Sequence, residues 1–564
     1  MKNIKWEKVW GVVWSYLVFI AVTTIMIWPQ LKIGVFTSGA DAFFHSARFY
    51  DAAMQIHNHN FSFFQSNYGF QQSGRVINAL YGPGFAYLNG LILLMVKTWF
   101  NYQILTDYLI CLLGAGTMMC LLQYVEINKP LSVLLSILYI NIGMIPSYIN
   151  SHTFNGWGQA WMPLVLLCGV RMIKDKKKPI NWIQLMVVMS VIIQIHILST
   201  LMAVVLLIPF FIICLCIHRN DKKIWIDLSK AILGTICLTA NVWGAYLILY
   251  SSNRLATPDA YDLRFGGVQL SGYKGYVGTY GTVSGHILPL MLFLIILQFI
   301  FIIRNFKQNL VNTTVTIYGL LILGVASIYF PWGVVQRIFP FTESLFQFPY
   351  RLIVIAYPLL ILGIGLTIRL NFIQVNWKKY ISILFIGLVL IESIVSTVRT
   401  TRYFSSYHTV STTVQHVSRD RDLSKIFDNK VYGRQSDYLS VSKDYVPGKM
   451  NTLYRKKVIK KHKNYKHFVD HNCLILKWNA KSSKKVTLPL VMYSQSELIV
   501  NGKHFNGKKN PIGNPIISQR KGTNSAILSF KIPLYFYALL WITIVSWVIL
   551  LIFGLYKVGL KFKK

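Results

Sequence analysis

The sequence predicts an all-α polytopic membrane bundle of about 12–13 transmembrane helices, followed by a C-terminal extracytoplasmic β-rich domain. Three observations predict it. Of 564 residues, 54% are hydrophobic and 13% charged, against about 25% charged in a soluble globular chain, and the mean hydropathy is +0.47. Apolar runs of about 20 residues, the length that crosses a bilayer core, recur along most of the chain. One long hydrophilic stretch near the C-terminus instead alternates apolar and polar residues between Gly, Pro and Asn turns. Together these exclude an ordinary cytosolic enzyme, a disordered chain and a secreted disulfide scaffold. Six of the seven cysteines lie in apolar runs and Cys473 stands alone in the hydrophilic stretch, so no disulfide framework or CxxC metal pair is available.

The first run, 9–28, follows Lys2, Lys5 and Lys8 and lacks a small-residue cleavage site. It reads as a retained first helix with its N-terminus inside. Further spans are expected at 104–124, 131–149, 157–173, 181–197, 200–217, 229–250, 286–303, 312–330, 350–370, 380–397 and 533–556. Alternation through these spans places the basic loops 171–178, 218–223, 304–307 and 377–379 and the tail 557–564 in the cytoplasm. It places 29–103, 251–285, 331–349 and 398–532 outside. Residues 81–100 are long enough to span, but Gly82, Pro83, Gly84, Asn89, Gly90 and Lys97 suit a re-entrant or interfacial helix better. Localisation is therefore expected to be a bacterial plasma membrane, with both termini cytoplasmic. The expected domains are 1–397, 398–532 and 533–564.

The stretch 398–532 reads as short strands at Leu474–Trp478, Val486–Tyr493, Glu497–Val500 and Ala526–Ile532, with an Asn501-Gly502 turn, forming a small sandwich. It holds 26 Lys+Arg against 7 Asp+Glu, half of the chain's net charge of +38. An exposed basic domain outside the cell points to an anionic envelope polymer or lipid, and not to nucleic acid. Its densest basic run is Arg455, Lys456, Lys457, Lys460, Lys461, Lys463 and Lys466, for which a merely solvated face is the alternative.

Residues 41–57 have helical spacing. Asp41, His45, Arg48 and Gln55 share one stripe, and Phe43, Ala47, Tyr50 and Met54 the opposite one. Such a helix would lie on the membrane surface, apolar side down, with its acid, imidazole and guanidinium facing a polar cleft. Acids are scarce on this side of the bundle, and Asp41 follows the turn Ser38-Gly39-Ala40.

A first span, an outer Asp-x-x-x-His helix and a Tyr-Gly-Pro-Gly apolar segment together resemble the GT-C superfamily of polyprenyl-phosphate-sugar glycosyltransferases. The nearer resemblance is to a bacterial branch labelled "6-pyruvoyl-tetrahydropterin synthase-related" or YfhO-like membrane proteins, although nothing here suggests pterin chemistry. Its G-x-D-x-x-x-H-x-x-R pattern is matched by Gly39, Asp41, His45 and Arg48, and its Q-F-P-W-R motif by Gln347-Phe348-Pro349-Tyr350-Arg351. The loop His152–Trp161 is similar to a segment where that branch carries Gly-Glu; here Gln159 stands in place of the acid. The resemblance spans about 1–400, with a weaker match in the C-terminal β region.

The resemblance implies an inverting transfer of a sugar from undecaprenyl phosphate to an extracytoplasmic acceptor such as teichoic acid, wall polysaccharide or glycolipid. Such chemistry needs a base for the acceptor hydroxyl and cations for the leaving phosphate. Asp41 fits the base. Arg351 fits the phosphate partner, at the outer start of span 350–370, with Pro349 suited to the first helical turn; a snorkelling anchor is the alternative. Glu343 and Gln347 are helical neighbours of Arg351 at i−8 and i−4 and join it as substrate-binding candidates, with orienting the arginine as the alternative for Glu343. His45, Arg48, His152, Asn155 and His196 complete the candidate substrate-binding set. No cofactor beyond the lipid-linked donor is expected. Asp259 and Asp262 are weak candidates for a divalent cation, which is not expected to be needed. Two rivals remain: a transporter or flippase of lipid-linked glycans, with His196, Asn241 and Glu392 lining a path, and a non-catalytic assembly protein that docks polymer on its basic domain.

Overall fold

The computed structural model describes residues 6–39, 41–270, 285–371, 376–406, 412–428, 436–442 and 450–563. Among them, six helices are long and apolar enough to cross a membrane: Trp10–Ile33, Trp99–Tyr124, Ile197–Ile217, Pro349–Leu370, Ile383–Ser405 and Leu534–Lys557. Each coincides with an expected span. Two further pairs, Lys129–Ile140 with Met144–Ser151 and Lys222–Leu238 with Ala240–Ser252, are bent by 48° and 67°. Counting each pair as one span gives up to eight. The expected spans 181–197, 286–303 and 312–330 appear as shorter apolar helices, Trp182–Ile195, Pro289–Arg304 and Leu310–Ala326. The chain is thus a multi-pass membrane protein.

Residues 81–100 form the helix Pro83–Val96, whose 14 residues reach about 21 Å at 1.5 Å per residue, short of the hydrocarbon thickness. Gly82 starts it in the left-handed region at φ +64°, and a Cβ there would run into the carbonyl oxygen of Gln194. Gly82→Ala is therefore expected to destabilise the protein by about 2 kcal/mol or more. Thermal unfolding of the purified protein in detergent checks this.

The C-terminal region carries a five-stranded antiparallel sheet in the order Lys466–Asp470, Cys473–Ala480, Gly522–Phe530, Ser496–Val500, Lys503–His504. A separate pair joins Lys484–Thr487 to Ile516–Gln519. Asn501 and Gly502 both have positive φ, 49° and 78°, as a two-residue hairpin turn requires. The expected strand 486–493 stops at Thr487. Leu488–Tyr493 is buried but irregular, because its amides go elsewhere: Val491 N–H donates to the Ser73 carbonyl (2.7 Å) and Met492 N–H to that of Gly513 (2.9 Å).

This region sits on the loop 58–80. Phe64 stacks on Phe530 with ring centroids 4.8 Å apart, Gln65 Nε2 donates to the Leu528 carbonyl (3.1 Å), and Trp99 Nε1 donates to that of Leu423 (2.9 Å).

Candidate active site

The segment leading to Asp41 is pinned on two sides. Thr37 N–H donates to Gln103 Oε1 (2.9 Å) and Thr37 Oγ1 donates to the Ile149 carbonyl (2.9 Å). Gly39 packs so closely on Ser151 that a Cβ would collide with it; here glycine serves close approach. Asp41 then precedes the helix Ala42–His57. Its side chain makes no capping bond to that helix, and among the described residues no hydrogen bond or ion pair engages its carboxylate. The residue as a whole is half-buried. Protein still crowds it enough that burial pushes its pKa up, with the positive charge of Arg351 pulling it back down.

The helix Ala42–His57 departs from the expected interfacial helix with a wet polar face. The loop 58–80, Tyr81 and the C-terminal region cover it, so the polar stripe is buried with much of the apolar one: Phe43, Ala47 and Phe49, but also His45, Arg48, Asp51 and Gln55, while Tyr50 and Met54 keep partial exposure. Arg48 is fully buried. Its Nη1 bonds His45 Nδ1 (2.9 Å), its Nε donates to Asn78 Oδ1 (3.3 Å) and its Nη2 donates to the Tyr81 carbonyl. The guanidinium also lies 4.7 Å from the centre of the Tyr81 ring. It spends its donors inside the protein. His45 accepts from Arg48 through Nδ1 and stacks on Phe154 with centroids 4.2 Å apart. Burial, then the charges of Arg48, His152 and His196, hold its pKa well below the usual range, so it is neutral with its proton on Nε2.

The other histidines gather around the same aromatic cluster. His196 caps the helix Ile197–Ile217, its Nδ1 bonding Ser199 Oγ (2.8 Å), and its ring lies 5.8 Å from that of Tyr81. His152, in the left-handed region at φ 55°, stacks on Phe36 at 5.2 Å. Both of its ring nitrogens are buried without a partner among the described residues, as is Asn155 Nδ2. Burial pushes His152 down to about 3.

Arg351 arrives on a short 3₁₀ turn, Pro349–Leu352, that feeds the helix Ile353–Asn371. Its Nη1 donates to the Phe346 carbonyl (2.9 Å) and its Nη2 to Gln347 Oε1 (3.2 Å). No described carboxylate lies within ion-pair distance of it. The expected helical continuity from Glu343 does not hold. The helix Thr342–Leu345 is four residues long, and Gln347 at φ 61° breaks the path. Gln347 still orients the arginine through its side chain. Glu343 contributes its backbone carbonyl to Tyr261 N–H (2.9 Å).

The base role that the sequence resemblance implies for Asp41 needs its ionised form, so transfer is expected to fail on the acid side at a higher pH than an ordinary carboxylate allows. Arg351→Gln removes the charge that pulls the pKa down. Its acid limb should therefore move to still higher pH, and donor kcat/KM should drop about ten- to hundredfold. A pH profile of kcat/KM checks both; an unmoved acid limb would separate the two residues.

The weak metal candidates are occupied differently from each other. Asp262 forms an ion pair with Arg264 (2.5 Å), and Asp259 Oδ2 accepts from Asn451 Nδ2 (3.0 Å). Among the described residues no group of three His, Cys, Asp or Glu is placed to hold a metal ion. The polar residues of the transport reading serve separate local bonds: Asn241 with Gln194 Nε2 (2.8 Å), and Glu392 with Leu290 N–H (3.1 Å). Gln159 pins the bend after Ile140. Its Oε1 accepts from Met144 N–H (2.5 Å) and its Nε2 donates to the Ile142 carbonyl (2.9 Å). A glutamate could not make the second bond.

Several residues of the site carried no sequence signal. Tyr81, Phe154 and Asn78 build the cage around Arg48 and His45. Asp51 accepts the amides of Tyr68 (2.8 Å) and Gly69 (3.0 Å), fastening the loop; burial still pushes it up to about 6. From the C-terminal region come Tyr438, whose ring meets that of Tyr81 at 6.1 Å, and Asp437, whose carbonyl accepts from Arg75. Burial pushes the Asp437 carboxyl up to about 6, with Arg75 opposing.

No family model matches the chain, and no curated protein matches it. Among solved structures, the chain is similar to the crystal structure of ArnT from Cupriavidus metallidurans bound to undecaprenyl phosphate. The identity is 12% and the TM-score 0.40, over 69% of this chain and 75% of that one.

Proposed function

We propose that this protein is an integral membrane glycosyltransferase of GT-C type. It moves a sugar from a polyprenyl phosphate, undecaprenyl phosphate in a bacterium, to a hydroxyl of an extracytoplasmic envelope acceptor. The observation that carries the reading is the Asp41 carboxylate, unengaged by any described partner and under the charge of Arg351, which is ion-paired with no described carboxylate. Asp41 takes the proton of the acceptor hydroxyl. The acceptor oxygen attacks the anomeric carbon from the face opposite the phosphate. The bond from that carbon to the phosphate oxygen breaks, and its electron pair leaves with the phosphate. Arg351 receives that added charge, and the anomeric configuration inverts. His152 and Asn155 offer buried, unpaired groups to the hydroxyls of the sugar. The acceptor is an anionic polymer or glycolipid of the envelope, and the reaction requires no added cofactor.

The test is reconstitution of the purified protein in proteoliposomes with a radiolabelled undecaprenyl-phosphate hexose and an envelope extract, with and without EDTA. Label is expected in an acceptor with inverted linkage, in both arms. Donor that crosses the bilayer with no covalent product would overturn the reading.

A further inference from the structure

Residues 450–462 form one helical segment of unusual make-up. Met450–Tyr454 is α-helical, Arg455–Ile459 makes a π turn, and Lys460–His462 closes it. π turns are rare and cluster at functional places. Met450, Tyr454 and Val458 are buried on one side, and Tyr454 OH donates to the Phe70 carbonyl of the outer loop (3.2 Å). Arg455, Lys456, Lys460, Lys463 and Lys466 face solvent on the other.

No acidic residue occurs between 450 and 466. Among the described residues no ion pair engages Arg455, Lys456, Lys460 or Lys466. Partial burial and the neighbouring Lys457 together push the Lys461 ammonium down, so the cations crowd one another.

This basic face begins beside the active site. Asn451 Nδ2 donates to Asp259 Oδ2 (3.0 Å), the Asp259 carbonyl accepts from Gln347 Nε2 (2.9 Å), and Gln347 Oε1 accepts from Arg351 Nη2 (3.2 Å). Two residues therefore link the first turn of the basic segment to Arg351.

We propose that the segment 450–462, extended by Lys463 and Lys466, is the binding track of a linear polyanion that carries the acceptor hydroxyl. The proposal rests on the glycosyltransferase reading and names its acceptor class. A row of cations in which Arg455, Lys456, Lys460 and Lys466 have no described ion pair binds a polymer of repeating anionic groups by displacing that polymer's counterions. The track is not built for the bilayer. An interfacial helix lays an apolar face into lipid, whereas this one buries Met450, Tyr454 and Val458 in protein and packs Leu453 and Ile459 against the same core.

The test uses the full chain in phosphatidylcholine nanodiscs and a fluorescein-labelled synthetic glycerol-phosphate decamer, read by anisotropy across a salt series. The triple variant Arg455→Gln, Lys456→Gln, Lys460→Gln should bind at least about tenfold more weakly, with a salt slope shallower by about 2–3. The charge-matched control Lys484→Gln, Lys485→Gln, Lys521→Gln on the sheet should lose less than about twofold. Both triples must unfold at the wild-type temperature. Equal losses in the two triples would reduce the effect to net charge and overturn the proposal, as would wild-type binding by the track variant. Loss of binding to phosphatidylglycerol vesicles, with decamer binding intact, would make the surface a lipid contact and also overturn it. Asp41→Asn should bind the decamer as wild type does. Binding that survives in a chain shown to transfer no sugar would refute the catalytic reading and leave the track standing.

Discussion

Asp41→Asn is expected to lower kcat by about 10²–10⁴-fold, the usual contribution of a positioned general base, with donor KM little changed. The amide keeps the shape of the carboxyl but cannot take a proton. Asp41 makes no capping bond to its helix and no described ion pair, so the substitution removes little that holds the fold together. Burial already disfavours the charged form at this position, and a neutral side chain should leave stability equal or slightly higher. The measurement is single-turnover transfer in proteoliposomes, beside a thermal unfolding curve of the same preparation. A variant that unfolds like wild type and still transfers at the wild-type rate would remove Asp41 from the chemistry. Envelope polymer from a deletion strain complemented with the variant gives the same answer in cells: the sugar should be missing from its NMR spectrum.

Arg48→Ala should cost stability more than any other substitution at the site, about 3–5 kcal/mol. The side chain is fully buried and supplies donors to His45, Asn78 and the Tyr81 carbonyl. Truncation leaves those acceptors buried and unsatisfied, and also opens a void between the rings of Tyr81 and Phe154. Lysine should not rescue it, because one ammonium cannot reach three acceptors arranged around a planar fork. The expected result is a large fall in the unfolding temperature in detergent. A normal unfolding temperature with a raised donor KM would instead place Arg48 against substrate.

The membrane part was legible because an apolar run of bilayer length has few other uses. The first outer helix was legible from its spacing, down to its boundaries. Its surroundings were not. His45, Arg48 and Gln55 read as a wet face because a polar stripe on an isolated helix normally is one. What buries them comes from residues 58–81 and 154, backed by 438, and no local pattern records such distant packing. The hairpin at Asn501-Gly502 was visible because a two-residue turn demands those residue types. Leu488–Tyr493 was misread as strand because alternation reports burial, and these residues are buried against the Ser73 and Gly513 backbone without joining a ladder. Gln347 in the left-handed region broke a helical register that extended cleanly through the sequence around Arg351.

The meeting of Tyr438 with Tyr81 has a consequence for biogenesis. Asp41, His45 and Arg48 leave the ribosome early, whereas Tyr438, whose ring backs Tyr81, follows more than 350 residues later. Tyr438 is held there from both sides: its amide donates to the Ala256 carbonyl (2.9 Å), and its carbonyl accepts from Tyr493 OH (3.0 Å). A nascent chain can thus insert its first helices and still lack a finished site. Completion waits until the hydrophilic region has folded and seated on residues 58–80. Folding of that region becomes a timing device. An arrested or truncated chain would hold the Asp41 carboxylate in an unassembled pocket until the last part of the molecule arrives.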